Sequence, residues 1–343
     1  MIHLSAVGYR SKSFCRSLAL GAVMCLLALP ALAQPLADRV PSDAMLYVGW
    51  QGTGSMPGYD RSRLKAFLDD SNIPALMERS MPLLLDRIVR EDPNAAEGIG
   101  MLRKIFPVVW KYPTALYFAG IDLSNPVVPT PKLALLCRAG EDGEVVRAEI
   151  ARIIAMTQGQ APFPIRAVRQ GDIVALIVGY ERDAQAIAGS GPNSSKPLMG
   201  TSDRFAQAMA QVQKDAAGVF YVDAEAAMGL INMIVQFNPD PAAQQVWPKI
   251  REAIGLDGVK RIVATAGFDG REWATNLFVA APAPRPGMLK LLEAPPISAD
   301  LMQSIPGTST SFAILHADFA KVIEGVRTAA AALDPNASQG LDG

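Results

Sequence analysis

The chain has 343 residues, half of them hydrophobic, and its 32 basic and 33 acidic residues give a net charge of −1. That length and apolar content suffice for a buried core and predict two domains or subdomains. With no basic run, the sequence lacks the electrostatic footprint of a nucleic-acid or anionic-membrane binder.

The first 33 residues read as a secretory signal. Arg10, Lys12 and Arg16 make a positive start, the apolar run 17–29 follows, and Pro30 precedes Ala31-Leu32-Ala33. Positive start, short apolar core and A-x-A site predict cleavage after Ala33, with Ala31 and Ala33 as the small residues of the site. The run falls short of the roughly 20 residues of a membrane span. Met24, before Cys25, is too bulky for a lipoprotein site. Cleavage removes three cations and no acid, leaving 29 basic against 33 acidic residues and a net charge of −4. It also removes Cys15 and Cys25, so Cys137 remains alone and no internal disulfide is possible. The expectation is an exported protein, periplasmic or extracellular, with no membrane span after cleavage.

Beyond the signal, "VPSDAMLYVGW" (40–50) predicts a turn and a strand, followed by the glycine-rich loop 49–60. Leu64, Phe67 and Leu68 then share one helical face. "DDSNIP" (69–74) stops that helix and starts another, with Ser71 or Asn72 as N-cap and Pro74 in the first turn. The second helix carries Leu76, Met77, Leu83, Leu84 and Ile88, and Pro82 is expected to kink it. The basic stretch 103–112 reads as a helix end feeding a buried strand. "TALYFAGID" (114–122) and "KLALLCRA" (132–139) are strands, and in the second Cys137 is expected to act as a small buried hydrophobe. Val145, Val146, Ile150, Ile153 and Ile154 mark an amphipathic helix, and 164–180 a hairpin turning at Gln170-Gly171-Asp172.

The small, polar stretch 188–197 reads as a linker, after which the pattern restarts. A helix with Phe205, Met209 and Val212 leads into the strand "GVFYVD" (218–223). A helix with Met228, Ile231 and Val235 follows, then another over 241–254 with Val246 and Ile250 inward. Two β-rich runs in 259–282 flank Asp269-Gly270, a hairpin dipeptide whose positive φ angles suit strand twist. Strands thus come as hairpins with helices grouped between them. The fold class is α+β, mainly antiparallel sheet with helices on one face, built from two diverged copies of one unit. The boundaries are 1–33 signal, 34–190 first unit, 191–296 second unit and 297–343 a further strand and helix. Either that last strand completes an earlier sheet or the sequence is a piece of a longer protein, and the second reading is favoured.

The copies rest on a recurring opening. Pro41 precedes Tyr47 by six positions and Pro306 precedes Phe312 by six; Tyr47-Val48 has a counterpart in Tyr221-Val222 and a looser one around Tyr117-Phe118. The opening "LADRVPSDAMLYVGW" resembles the start of a family of large exported bacterial proteins of unknown function. Those begin with a Pro-x-Asp-[Ala/Thr] turn and a Tyr-containing strand, and repeat the unit. "SDRFAQAMAQVQKDAAGVFYVD" (202–223) is similar to that family's inner helix–strand element. The resemblance extends over most of 37–333 and implies export and a repeated α+β unit. It brings no catalytic residues.

Catalytic resources are sparse. Only His316 remains after cleavage, so no multi-histidine zinc site can form in one chain. His316 reads as a strand-to-helix junction residue. Gly52-x-Gly54 with Gly58 resembles a dinucleotide-binding turn, but Pro57-Gly58-Tyr59 delays the helix that would meet the phosphates. Asp69-Asp70, Glu91-Asp92 and Glu141-Asp142-Glu144 fall at helix ends or turns, where acids favour dipole or solvent rather than glycoside chemistry. Asp240 and Asp269 lack a calcium-loop pattern. No cofactor, metal or catalytic residue is therefore assigned. Trp50, with Gly52 and Gly54, is the candidate contact for a partner. The expected function is a non-enzymatic structural or protein-interaction module of the cell envelope. The alternative is an extracytoplasmic binding protein for a small or lipid-like ligand. The partner, an envelope protein or a ligand, is unidentified.

Overall fold

The computed structural model describes residues 34–92, 96–125, 128–157, 162–187, 197–213, 215–238 and 240–293, with short pieces between 298 and 330. The signal site at Ala31 and Ala33, all of the linker 188–197 but Pro197, most of the last segment and His316 lie outside the described residues. The chain is mixed α+β. It divides into two units, Met1–Phe220 with Ala264–Asn276, and Tyr221–Val263 with Leu277–Gly343.

The tyrosine-bearing stretches are strands. In the first unit β1 (Leu46–Trp50), β2 (Thr114–Asp122), β3 (Thr130–Cys137), β4 (Ile165–Gln170) and β5 (Ile173–Val178) form antiparallel ladders. With β6 (Gly218–Asp223), β7 (Arg261–Asp269) and β8 (Glu272–Ala280), all of which contribute residues to this unit, the sheet order is β4-β5-β3-β2-β1-β6-β7-β8. The hairpins turn where expected, with Gly171 and Gly270 at positive φ.

Period-two alternation gives the sheet two unlike faces. Tyr47 pairs with Tyr117, Tyr117 with Ala134, and Ala134 with Ile177, so these side chains share one face. All four are buried. That face is closed by the N-terminal coil, through Leu36 and Val40, and by Ile187, Met199 and Phe205. Phe205 belongs to a short helix, Asp203–Met209, and its ring meets Tyr47 edge-on at 5.7 Å. Burial would leave two phenols unsatisfied, and each finds a backbone carbonyl. Tyr47 donates to Pro35 O, and Tyr117 to Ala186 O.

Four long or medium helices precede or follow the strands of the first unit: α1 (Arg63–Asp70), α2 (Ile73–Glu91), α3 (Ala96–Lys111) and α4 (Gly143–Thr157). Ser62 caps α1 by accepting from Lys65 N–H at 3.0 Å. Asn72 is the N-cap of α2, whose Pro74 sits in the first turn, as the sequence suggests. α4 packs on the second sheet face, where Val146 and Ile150 bury against Cys137 and Val174, with Ile105 and Val108 of α3 alongside.

The apolar stripes of α1 and α2 form, but Phe67, Leu76, Met77, Leu83, Leu84 and Ile88 are exposed. Helical spacing makes a stripe, and only tertiary packing can cover it.

In the second unit, α5 (Ala224–Gln236) and α6 (Pro241–Ile254) follow the end of β6. Asp223 and Asp240 cap them through Ala226 N–H and Ala242 N–H. Asn232 Oδ1 accepts from both Trp247 Nε1, at 2.8 Å, and Arg251 Nη1, at 3.0 Å, which ties the two helices together.

The buried phenols set the alkaline limit of the fold. Burial pushes Tyr47 and Tyr117 well above the usual tyrosine range and Tyr180 up to about 12. An unfolded tyrosine titrates near pH 10, so between about 10 and 12 the unfolded chain holds fewer protons. Their contribution to stability is complete below about pH 10 and is lost as pH rises through the folded values. The expected alkaline titration shows the last tyrosinate absorbance appearing together with loss of the far-ultraviolet circular dichroism. Complete ionisation of the tyrosines with an intact dichroism spectrum would contradict this.

Candidate aromatic contact surface

Trp50 ends β1, and the loop after it doubles back on the end of α3. Its indole Nε1 donates to Trp110 O at 2.9 Å, and Thr53 Oγ1 donates to the same carbonyl at 3.4 Å. That carbonyl belongs to the last turn of α3, where no intrahelical donor remains, so the loop supplies one. Gly52 and Gly54 make the approach possible. A Cβ on Gly52 would lie 2.4 Å from Lys111 O, and one on Gly54 would lie 3.2 Å from it. Gly52 also has φ +83°. The three residues singled out from sequence therefore meet at one place, and the two glycines act through backbone clearance.

The tryptophan does not stand alone. Its ring stacks on Trp110 at 4.7 Å and 24°, and Trp110 stacks on Phe106 at 5.6 Å and 20°. Phe106 and Trp110 are four apart on α3, so the helix sets them one above the other. The result is a ladder of three rings. Trp110 is 48% exposed and Phe106 51%.

Beside the ladder the second sheet face runs on as an apolar surface. Val48 pairs with Leu116, and both are exposed. The bond from Gln51 N–H to Ala217 O, 2.8 Å, continues antiparallel pairing into β6 and sets exposed Phe220 opposite Val48. Sequence reasoning missed Trp110 and Phe106, although their i, i+4 spacing in "RKIFPVVWKY" was the available signal.

Four of the acids noted in the sequence, Asp69, Glu91, Asp142 and Glu144, are tied to bases. Asp69 pairs with Lys65 and Glu91 with Arg87, both at 2.7 Å, and Asp142 with Lys111 at 3.4 Å. Glu144 is held below the usual range by its hydrogen bonds from Arg147. Asp122 is likewise held well below it, chiefly by Lys132 at 2.7 Å. Among the described residues no three metal-ligating side chains gather at one point. A polar cleft of about 240 Å³ brings Asp215 and Asp269 to a common lining with Arg61 and Gln213. Among the described residues that lining includes neither a histidine nor a hydroxyl side chain. Cys137 is buried, and burial pushes its thiol up, away from the reactive thiolate.

No described helix is long and apolar enough to cross a membrane. Comparison with protein-family models, with curated proteins and with solved structures yields no match.

Proposed function

We propose that the protein is an exported, non-enzymatic interaction module of the bacterial envelope, and that it docks a protein partner through the Trp50–Trp110–Phe106 ladder. The observation that carries this is the exposure of two large rings in a fixed stack beside the apolar strip of Val48, Leu116 and Phe220. Rigid aromatic anchors with adjoining apolar area are what protein contact surfaces concentrate. Export rests on the sequence of residues 1–33.

The same reading takes the scaffold as two diverged copies. β1, a helical stretch and the hairpin β2–β3 have counterparts in β6, the helices α5 and α6, and the hairpin β7–β8. The strand order β3-β2-β1-β6-β7-β8 is a mirror sequence about its centre.

The test places a photoreactive amino acid at Phe106 in the producing bacterium, with exposed Arg182 as the control position. A discrete protein adduct from position 106 and none from 182 is the expected result. No adduct at 106, or the same adducts from both positions, would overturn the reading.

A further inference from the structure

Between α3, α4 and the strands β3, β4 and β5 lies a cavity of about 330 Å³. We infer that it holds the single aliphatic chain of an amphiphile, a site separate from the aromatic ladder and independent of the partner proposed for it.

Three properties lead there. The first is composition: every described lining side chain is aliphatic or sulfur-bearing, from Met101 and Ile105 on α3 to Ile153 and Ile154 on α4 and Leu135 and Leu176 in the sheet. Water needs two to four polar partners to be held in such a space, and the described side chains of this wall offer none. A second property is size. An engineered apolar cavity of roughly 150 Å³ already stays dry and accepts benzene, and this one is about twice as large. The space is partly open to solvent, which gives a ligand a way in. It falls at the lower end of ligand pockets, which run from about 300 to 1,000 Å³. Third, the described lining contains no aromatic ring, although this chain places aromatics freely elsewhere. Flat ligands are commonly held by stacking, whereas a flexible methylene chain needs only branched aliphatic walls.

The border of the cavity suits an amphiphile. Lys104, next to Ile105 on α3, pairs with Glu149, next to Ile150 on α4, and Arg152 reaches the same carboxylate at 3.1 Å. This charged bridge joins the two helices that wall the cavity. It gives a polar head group a place beside an apolar interior. The chain chemistry is common to a free fatty acid and to the acyl tail of a lysophospholipid.

The experiment uses purified residues 34–343 and measures thermal unfolding with dodecanoate, and separately with a twelve-carbon lysophospholipid, each below its micelle-forming concentration. At about 100 times the dissociation constant, the folding equilibrium constant should rise about 100-fold. Whichever compound gives that rise names the source of the chain. Ile153→Trp, which fills the space from α4, should fold and lose the ligand response. Val109→Phe, from the α3 wall, provides the same check should Ile153→Trp fail to fold. Absence of a response to both compounds would overturn the inference, as would an undiminished response in the filled variants.

Discussion

Replacing Tyr47 with alanine should destabilise the protein by about 3–5 kcal/mol, the range for deleting a buried aromatic side chain. Tyr47 is fully buried, its ring packs edge-on against Phe205, and its hydroxyl donates to Pro35 O. The substitution removes the ring from the centre of the first sheet face and detaches the N-terminal coil from it. Tyr47→Phe separates the two contributions. It keeps the ring and strands only the Pro35 carbonyl, at a cost of about 1–3 kcal/mol. Urea unfolding of the two variants would check the order. Equal losses would mean that the ring packing contributes little, and would contradict this account of the strand.

Gly179→Ala should cost about 4 kcal/mol or more, a loss reserved for substitutions with a named steric cause. Gly179 follows β5 with φ +76°, and an added Cβ would stand 2.0 Å from Pro131 O, at the start of β3. The obstacle is backbone, and the glycine is itself pinned by its N–H to Pro164 O at 2.9 Å. Neither side can retreat without breaking a ladder. Gly171→Ala is the control: φ is +62° but nothing lies within 4 Å of its Cβ. Its cost should be only the backbone strain of about 1–2 kcal/mol. Thermal or urea melts that rank the two equally would show that the β3–β5 junction tolerates displacement.

Much of the fold was legible because its signals are local. Asp269-Gly270 and Gln170-Gly171-Asp172 announce their hairpins through glycines that accept positive φ, and Pro74 announces a helix start. The recurring tyrosine is structural: Tyr47, Tyr117 and Tyr221 are all buried. The fate of the α1 and α2 stripes was not legible, since periodicity fixes which residues share a face and says nothing of what covers it. The candidate site was half legible. Trp50 stood out in its glycine-rich loop, but its partner Trp110 lies 60 residues away and meets it only through the pairing of β1 with β2 and the path of α3. The aliphatic cavity left no trace in sequence, because volume depends on how neighbouring side chains fill space.

The tyrosine face serves stability, and the tryptophan ladder is proposed to serve contact. The most direct test of that division is the unfolding free energy of Trp110→Ala set beside that of Tyr47→Ala. A loss less than half that of Tyr47→Ala is expected, since Trp110 is half exposed and closes no part of the buried face. A loss equal to that of Tyr47→Ala would contradict the division and return the ladder to the core.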